Sequence, residues 1–555
     1  MLAAAAPVAA EPTYKADVPD SIVTPDTVET RLGTLRFFDG APDPETVRTV
    51  YDNLDFMRGV QAFLDAMPAA SIYGICRGYE QAGMGPQSVG IFEDLMDARS
   101  VFLTPNSTTV YVSKCYDLED GPIVVEVPAG VLGPMDDAYF RFITDFGITG
   151  PDGGKGGKYL FVPPGYEGEL PEDGYFVFHS PTDTTMQLIR AFVGEEGIEA
   201  TVQRVKNTMR VYPWARRDDP PETDFVNLSG QKFNTVHAND FSFYEEIDAV
   251  IQKEPADAFP PELAGVLAAI GIKKGEPFEP DERMRAILTD AVAVGNATAR
   301  AIIFAQRDPR GFYFEDRQWK TNFIGGSSEF YDNGERMLDS RVLFHYYATV
   351  ITPAMATPAV GSGSVYAYAE RDANGDYLDG GRTYSITLPA TIPVNNFWSV
   401  MVYDNQTRSM LETDQKAAGV DSNSPDLVAN ADGSYTVWFG PEAPGRQGRQ
   451  LGTDHAGQGL EHAAAPLRAA GALVRQDVEA RGLRAGGIAR RGRPSGGAFS
   501  SPLPRRHRGS ASPSCRDALP ETGRYQTRES DHALSWIPMT RTISPRPTRC
   551  RIRSR

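Results

Sequence analysis

Apolar side chains recur at helical spacing just after residue 40. Asp43-Pro44-Glu45 supplies a capping carboxylate and a proline suited to the first helical position, and Val47, Val50, Tyr51 and Leu54 continue one face. The spacing predicts helix to about Gly83. From Ser100 the period shortens. Val101-Phe102-Leu103, Val110-Tyr111-Val112, Ile123 to Val127, Tyr139 to Phe142, Tyr159 to Val162 and Tyr175 to Phe178 are short apolar runs parted by Gly, Pro and Asp, the pattern of strands in a sandwich. Helical spacing returns between Gly197 and Arg307, most clearly where Pro280-Asp281-Glu282 leads into Met284, Ile287, Leu288, Ala291, Val292 and Val294. A further helix is predicted from Leu338 to Ile351, and strands resume at Val365 to Tyr368, Tyr384 to Leu388, Phe397 to Tyr403 and Tyr435 to Phe439. Asp372 to Asp376 and Asn430 to Gly433 are the turns between them.

These changes of period predict a mainly β chain with a helical region, divided into five parts. Residues 1–40 form an N-terminal extension, 41–196 helices and a β-sandwich, 197–351 a helical bridge, 352–445 a second β domain and 446–555 a tail. At 555 residues there is ample length for more than one core.

The formal charge of -18 argues against a nucleic-acid partner, which would require a basic face. Only Cys76 and Cys115 precede the tail, and either a bridge between them or two free thiols is compatible with their number. The opening residues, with Val8 and Ala10 at small-residue positions, read as the end of a secretory signal whose basic stretch is missing. No later run is read as long enough to span a bilayer. The expected location is outside the cytoplasm, in the periplasm.

The tail has a different origin. From about Arg446 lysine is absent while arginine occurs about twenty times, an asymmetry that folding does not require. Back-translating from Arg449 and shifting the frame by one base gives GNWVQTMPGKGW, and continuing through Arg481 gives NTLLRLYGPLEPWFDKTWKPG, an aromatic-rich stretch with strand and turn signals. A single frameshift between about Pro444 and Arg449 is the expectation, with a disordered read-through to Arg555. His455, His462, Cys515 and Cys550 then carry no metal or redox meaning.

Several stretches together resemble two bacterial families catalogued as domains of unknown function 1254 and 1214. The first likeness lies in Leu103-Thr104-Pro105-Asn106, in Gly121 to Pro128, in Gly150 to Tyr159 and in Pro163 to Tyr166. The second lies in Tyr377 to Gly381, in Asn396-Phe397-Trp398-Ser399 and in Tyr403 to Met410. The restored string resembles the usual ending of the second family. The resemblance implies an immunoglobulin-like sandwich, a helical region and a jelly-roll-type domain in an exported chain. It implies no established activity, and fold alone does not supply one.

Candidate chemistry is sparse. The Gly150 to Lys158 loop lacks the spacing of a phosphate loop and precedes a strand, so it is read as a tight turn, with Lys158 and Lys155 as the residues that would contact a ligand. His179, His237 and His345 are too widely spaced to predict a metal site, and no cofactor is implied. Two polar clusters remain: Arg141 with Asp145 around a strand end, and Asp404, Asn405 and Arg408 after the strand ending at Tyr403 and near Trp398. Such groups can bind a polar ring or an anion, but Asp and Asn in a turn commonly bond their own backbone. Three functions are carried forward: binding of a small polar or saccharide-like ligand between the β domains, an envelope hydrolase using Asp145 or Asp404, and a structural or assembly module. A hydrolase would require a second carboxylate within reach and a shifted pKa.

Overall fold

The computed structural model describes residues 16–357, 364–392, 394, 397–424, 427–441, 469–475 and 484–485. Residues 1–15, read above as the end of a secretory signal, Asn396 and most of the tail, with His455, His462, Cys515 and Cys550, lie outside them.

The cap at Asp43 forms as its sequence implies: its carboxylate accepts the Thr46 amide at 2.7 Å, with Pro44 in the first turn. Helix α1 (Pro44–Gln81) then runs unbroken through Pro68. It lies close to α5 (Glu282–Phe304), because a Cβ on Gly59 would come within 2.7 Å of the Ala291 Cβ. With 23 residues and a mean hydropathy of 1.3, α5 is long and apolar enough to cross a membrane, which the sequence reading overlooked. Here its Leu288, Ala291, Val292, Gly295, Ala299 and Ile303 face buried neighbours.

Besides the short parallel pair Ser100–Val101 and Phe233–Asn234, two larger sheets follow α1, built from β1 (Ser88–Ile91), β2 (Thr109–Asp117), β3 (Ile123–Val127), β4 (Val131–Asp137), β5 (Phe142–Gly147), β6 (Gly157–Val162), β7 (Phe176–His179), β8 (Thr184–Phe192), β9 (Arg210–Pro213) and β10 (Asp224–Asn227). One sheet has the order β10-β1-β2-β8-β4-β5 and the other β7-β6-β3-β9. Alternation decides what each face buries. Val110 and Val112 of β2, Ile189 and Ala191 of β8, Val125 and Val127 of β3, and Tyr159 and Phe161 of β6 share one core. The opposite phase, Tyr111 of β2 with Met186 and Leu188 of β8, packs with Ile72, Ile75 and Tyr79 of α1. Cys76 of α1 and Cys115 of β2 are joined by a disulfide across that contact.

Two expectations are corrected. Of the run Tyr139 to Phe142, Tyr139 to Arg141 forms a turn and only Phe142 enters a strand, because the Asp137 carboxylate accepts the Tyr139 and Arg141 amides at 2.8 Å each and Phe140 takes a φ of 62°. The stretch read as a helical bridge returns to the sheets at β9 and β10, after α2 (Gly197–Thr208). Helices α3 (Ser242–Lys253), α4 (Pro261–Ala269), α5 and α6 (Leu338–Tyr347) come later.

The C-terminal strands are β11 (Tyr366–Ala369), β12 (Tyr384–Leu388), β13 (Ser399–Asp404), β14 (Gly419–Asp421), β15 (Tyr435–Phe439), β16 (Ala469–Arg475) and β17 (Arg484–Ala485), in sheets ordered β11-β16-β13-β14 and β15-β12-β17. Their apolar residues Tyr384, Ile386, Trp398 and Val400 share a core with Phe63 of α1, Phe243 of α3 and Leu288 of α5. The fold is thus mixed, with α1, α3 and α5 sharing a core with the second β region and α2 packed into the core of the first.

Candidate functional site

The two stretches that carry the family resemblance meet. Thr104 donates its amide to the Arg408 carbonyl at 2.9 Å, the Tyr403 hydroxyl donates to the Pro105 carbonyl at 2.8 Å, and the Phe102 amide donates to Ser409 Oγ at 3.0 Å. Arg300 of α5 clamps the same loop, donating to the carbonyls of Asn405 and Gln406 at 3.1 and 3.2 Å. Asp404 caps its own turn: one carboxylate oxygen accepts from the Gln406 and Thr407 amides and from the Thr407 hydroxyl. The loop after β13 is therefore a joint between the N- and C-terminal halves, held mainly through backbone groups.

Arg408 is its one unusual member. It is 1% exposed, its backbone φ is 61°, and its guanidinium lies 3.8 Å from the Tyr346 ring centroid. Among the described residues Nη1 and Nη2 have no hydrogen-bond partner, and burial pushes its pKa down. His237 beside it is lowered to about 3, first by its own burial and then by the Arg408 charge. Trp398, set just before β13, packs at 5.5 Å against Tyr435.

Arg141 and Asp145 are not brought together. Arg141 pairs with Asp137 at 2.5 Å, and Lys158 pairs with Glu126 at 2.9 Å. The Gly150 to Lys158 loop is a turn in which Asp152 accepts the Gly156 amide and the Tyr159 hydroxyl.

Asp145 instead lines a cavity of about 80 Å³ between the first sheet and the later chain. Strands β4, β5 and β8 supply Leu132, Gly133, Asp145, Leu188 and Arg190 to one wall. Asn322, Phe344 of α6, the segment Ala348 to Met355 and Tyr366 of β11 complete it. Strands β4 and β5 can approach closely there because Gly147, at φ 74°, carries no Cβ, which would lie 1.9 Å from the Val131 carbonyl oxygen.

Asp145 is 5% exposed. Its Oδ2 accepts from the Thr352 hydroxyl at 2.8 Å, while Oδ1 is fully buried. Burial raises its pKa, against the lowering effects of hydrogen bonding by Thr352 and Thr149 and of the Arg190 charge. Asp136 on β4 accepts the Ile351 amide at 2.9 Å and has a fully buried Oδ1 as well. Burial holds its pKa well above the carboxylate range, reinforced by the charges of Asp137 and Asp145. Two coupled carboxyls thus hold the Ile351-Thr352 segment against the sheet.

Sequence reasoning missed Arg190, Asn322 and Thr352. A signal existed for Arg190: in Met186, Leu188, Arg190 the arginine holds the same strand phase as two buried apolar residues. No local pattern marks Thr352, whose partner lies 207 positions earlier.

No curated protein matches the chain. Two solved structures are similar to it: the VPA0106 protein from Vibrio parahaemolyticus, 15% identical with a TM-score of 0.48, covering 78% of this chain and 100% of its own, and an uncharacterized protein from Burkholderia cenocepacia, 12% identical with a TM-score of 0.28, covering 79% and 95%. Residues 87–213 match the family described as "Protein of unknown function (DUF1254)", and residues 363–457 match "Protein of unknown function (DUF1214)". The chain carries both family segments, DUF1254 first and DUF1214 second.

Proposed function

We propose that the chain is an exported, periplasmic protein that binds a small polar or saccharide-like ligand in the cavity between its N-terminal sheet and its C-terminal half. One observation carries the reading: a buried carboxyl, Asp145, and a half-buried arginine, Arg190, line that cavity together among mainly apolar neighbours. A few polar groups set in an apolar concave wall are what orients a small polar ligand. Export is supported by the Cys76–Cys115 disulfide, which persists in an oxidising compartment. The test is a thermal-shift panel of sugars, polyols, amino acids and carboxylic acids on the wild type and on Ala354→Trp, which places bulk against the cavity. At least one compound should stabilise the wild type and not the variant; no response, or equal responses, would remove the reading.

A second reading, an envelope hydrolase using Asp145, is favoured by Asp136. That residue supplies a nearby second carboxyl, and both groups have raised pKa values. Loss of ester or glycoside hydrolysis in Asp145→Asn, with folding intact, would select it. Asp404 is a poor candidate because its carboxylate caps a turn.

The finer architecture belongs to the same proposal. The two N-terminal sheets with their shared core are read as an immunoglobulin-like sandwich, and the C-terminal sheets as a jelly-roll-type domain. The tail from about Arg446 is read as out of frame, a position inside the DUF1214 match. Against the disorder expected of such a tail, Ala469–Arg475 pairs with both β11 and β13 and Arg484–Ala485 with β12 among the described residues. Sequencing the codons for Pro444 to Gln450 should reveal a base whose correction restores the GNWVQT reading. Intact DNA that encodes the tail in every relative would oppose it.

A further inference from the structure

Resting on the reading that the junction cavity binds a ligand, we infer that this ligand is a small monoanion, a short-chain aliphatic carboxylate whose charged end is held by Arg190 and whose hydrocarbon end lies against the apolar walls.

Arg190 stands where an anion would need it. On β8 it keeps the phase of Met186 and Leu188, opposite to that of Ile189 and Ala191 in the sandwich core, and it lines the cavity together with Leu188. It is half-buried, and among the described residues its side chain forms no hydrogen bond or ion pair. None of its nitrogens is both sealed from solvent and unpaired, as Nη1 and Nη2 of Arg408 are, so its free donors are accessible. The guanidinium is also close enough to Asp145, which lines the same cavity, to lower that carboxyl through space. The charge therefore lies on the cavity side of the sheet.

Asp145 is the other charged residue of the lining, and it is turned into the wall: Oδ1 is fully buried and Oδ2 accepts the Thr352 hydroxyl. The arginine is left as the charged group with donors to spare. A guanidinium gains most from a carboxylate, which it grips with two parallel bonds. A sugar hydroxyl or a carboxamide would meet it with neutral hydrogen bonds, roughly half as strong. A cation would meet a like charge. Leu132, Leu188, Phe344, Val350 and Met355 supply apolar wall, which suits a hydrocarbon tail. At about 80 Å³ the cavity has room for a few non-hydrogen atoms, so that tail is short.

The experiment is isothermal titration of the full-length protein with acetate, propionate and butyrate, compared with butyramide, followed by butyrate on Arg190→Gln and Ala354→Trp. Butyrate should bind, with butyramide about 10-fold to 100-fold weaker, the loss expected when a charge-assisted contact becomes neutral. From acetate to butyrate each methylene buried should tighten binding about four-fold. Arg190→Gln should weaken butyrate by at least about ten-fold. The comparison of butyrate with butyramide uses wild-type protein alone, so misfolding of a variant does not decide it. If butyramide binds as tightly as butyrate, or if another compound of the wider panel binds and butyrate does not, the inference falls while the junction cavity remains a ligand site. If butyrate binds equally in folded Arg190→Gln or Ala354→Trp, the anion sits elsewhere and the inference falls. If no compound of the wider panel binds, the cavity reading falls and the inference with it.

Discussion

Cutting the Cys76–Cys115 bridge should lower stability by a calculable amount. The bridge joins α1 to β2 across a sequence separation of 39. The chain-entropy relation for a loop of that length gives about 4 kcal/mol at 25 °C, with native-state relaxation able to reduce it. Both cysteines pack against a cluster that holds Ile72, Tyr79 and Phe102, so the Cys76→Ser/Cys115→Ser protein keeps its helix–sheet contact and should fold. Its urea midpoint should fall, with a nearly unchanged slope if the same surface is exposed. Peptide mapping under unreduced, denaturing conditions should find Cys76 and Cys115 linked in the wild type. Free thiols at both positions, or an unchanged midpoint in the double variant, would refute the argument and remove the main physical support for export.

Three further outcomes follow from buried charge. Burial raises Glu246 from 4.5 to about 7, opposed by the Ala238 amide, so its contribution is present below pH 4.5 and is lost as pH rises through about 7. Glu246→Gln should remove a loss on the order of 3 kcal/mol between those values; identical pH profiles of urea midpoints would contradict this. Lys320 and Glu370 form a buried pair at 2.8 Å, so Glu370→Leu alone should cost about 3–5 kcal/mol, and adding Lys320→Met should recover most of it in denaturation midpoints. Arg408, buried without a carboxylate partner, should tolerate Arg408→Met within about 1 kcal/mol, since the joint to Thr104 is made by its carbonyl; a loss of several kcal/mol would show that the guanidinium itself holds the joint.

How much was legible depended on whether a segment carries its own explanation. Ile123–Val127 was readable as a strand because an apolar run stands between Gly121-Pro122 and Pro128. Thr184–Phe192 was not, because both of its faces are covered and it buries Thr185 and Gln187, so no alternation shows. Tyr139 to Arg141 differs for the opposite reason: the aromatic run favours a strand, but a neighbouring carboxylate fixes a turn before the strand begins at Phe142. At the site, Asp145 was identifiable as a candidate, yet with the wrong companion. Arg141 is taken by Asp137, and the groups that define Asp145, namely Thr352, Asp136 and Arg190, are assembled by sheet register and by a segment distant in sequence. Likewise the Leu103 to Asn106 and Tyr403 to Met410 stretches were each conspicuous, while their contact was invisible.

The most direct test of the ligand site is a crystal structure of the full chain grown with a saturating amount of the compound that gives the largest thermal shift. The account predicts density for that compound in the junction cavity, in contact with Arg190. A cavity holding only water, or one closed by a direct Arg190–Asp145 pair, would contradict it.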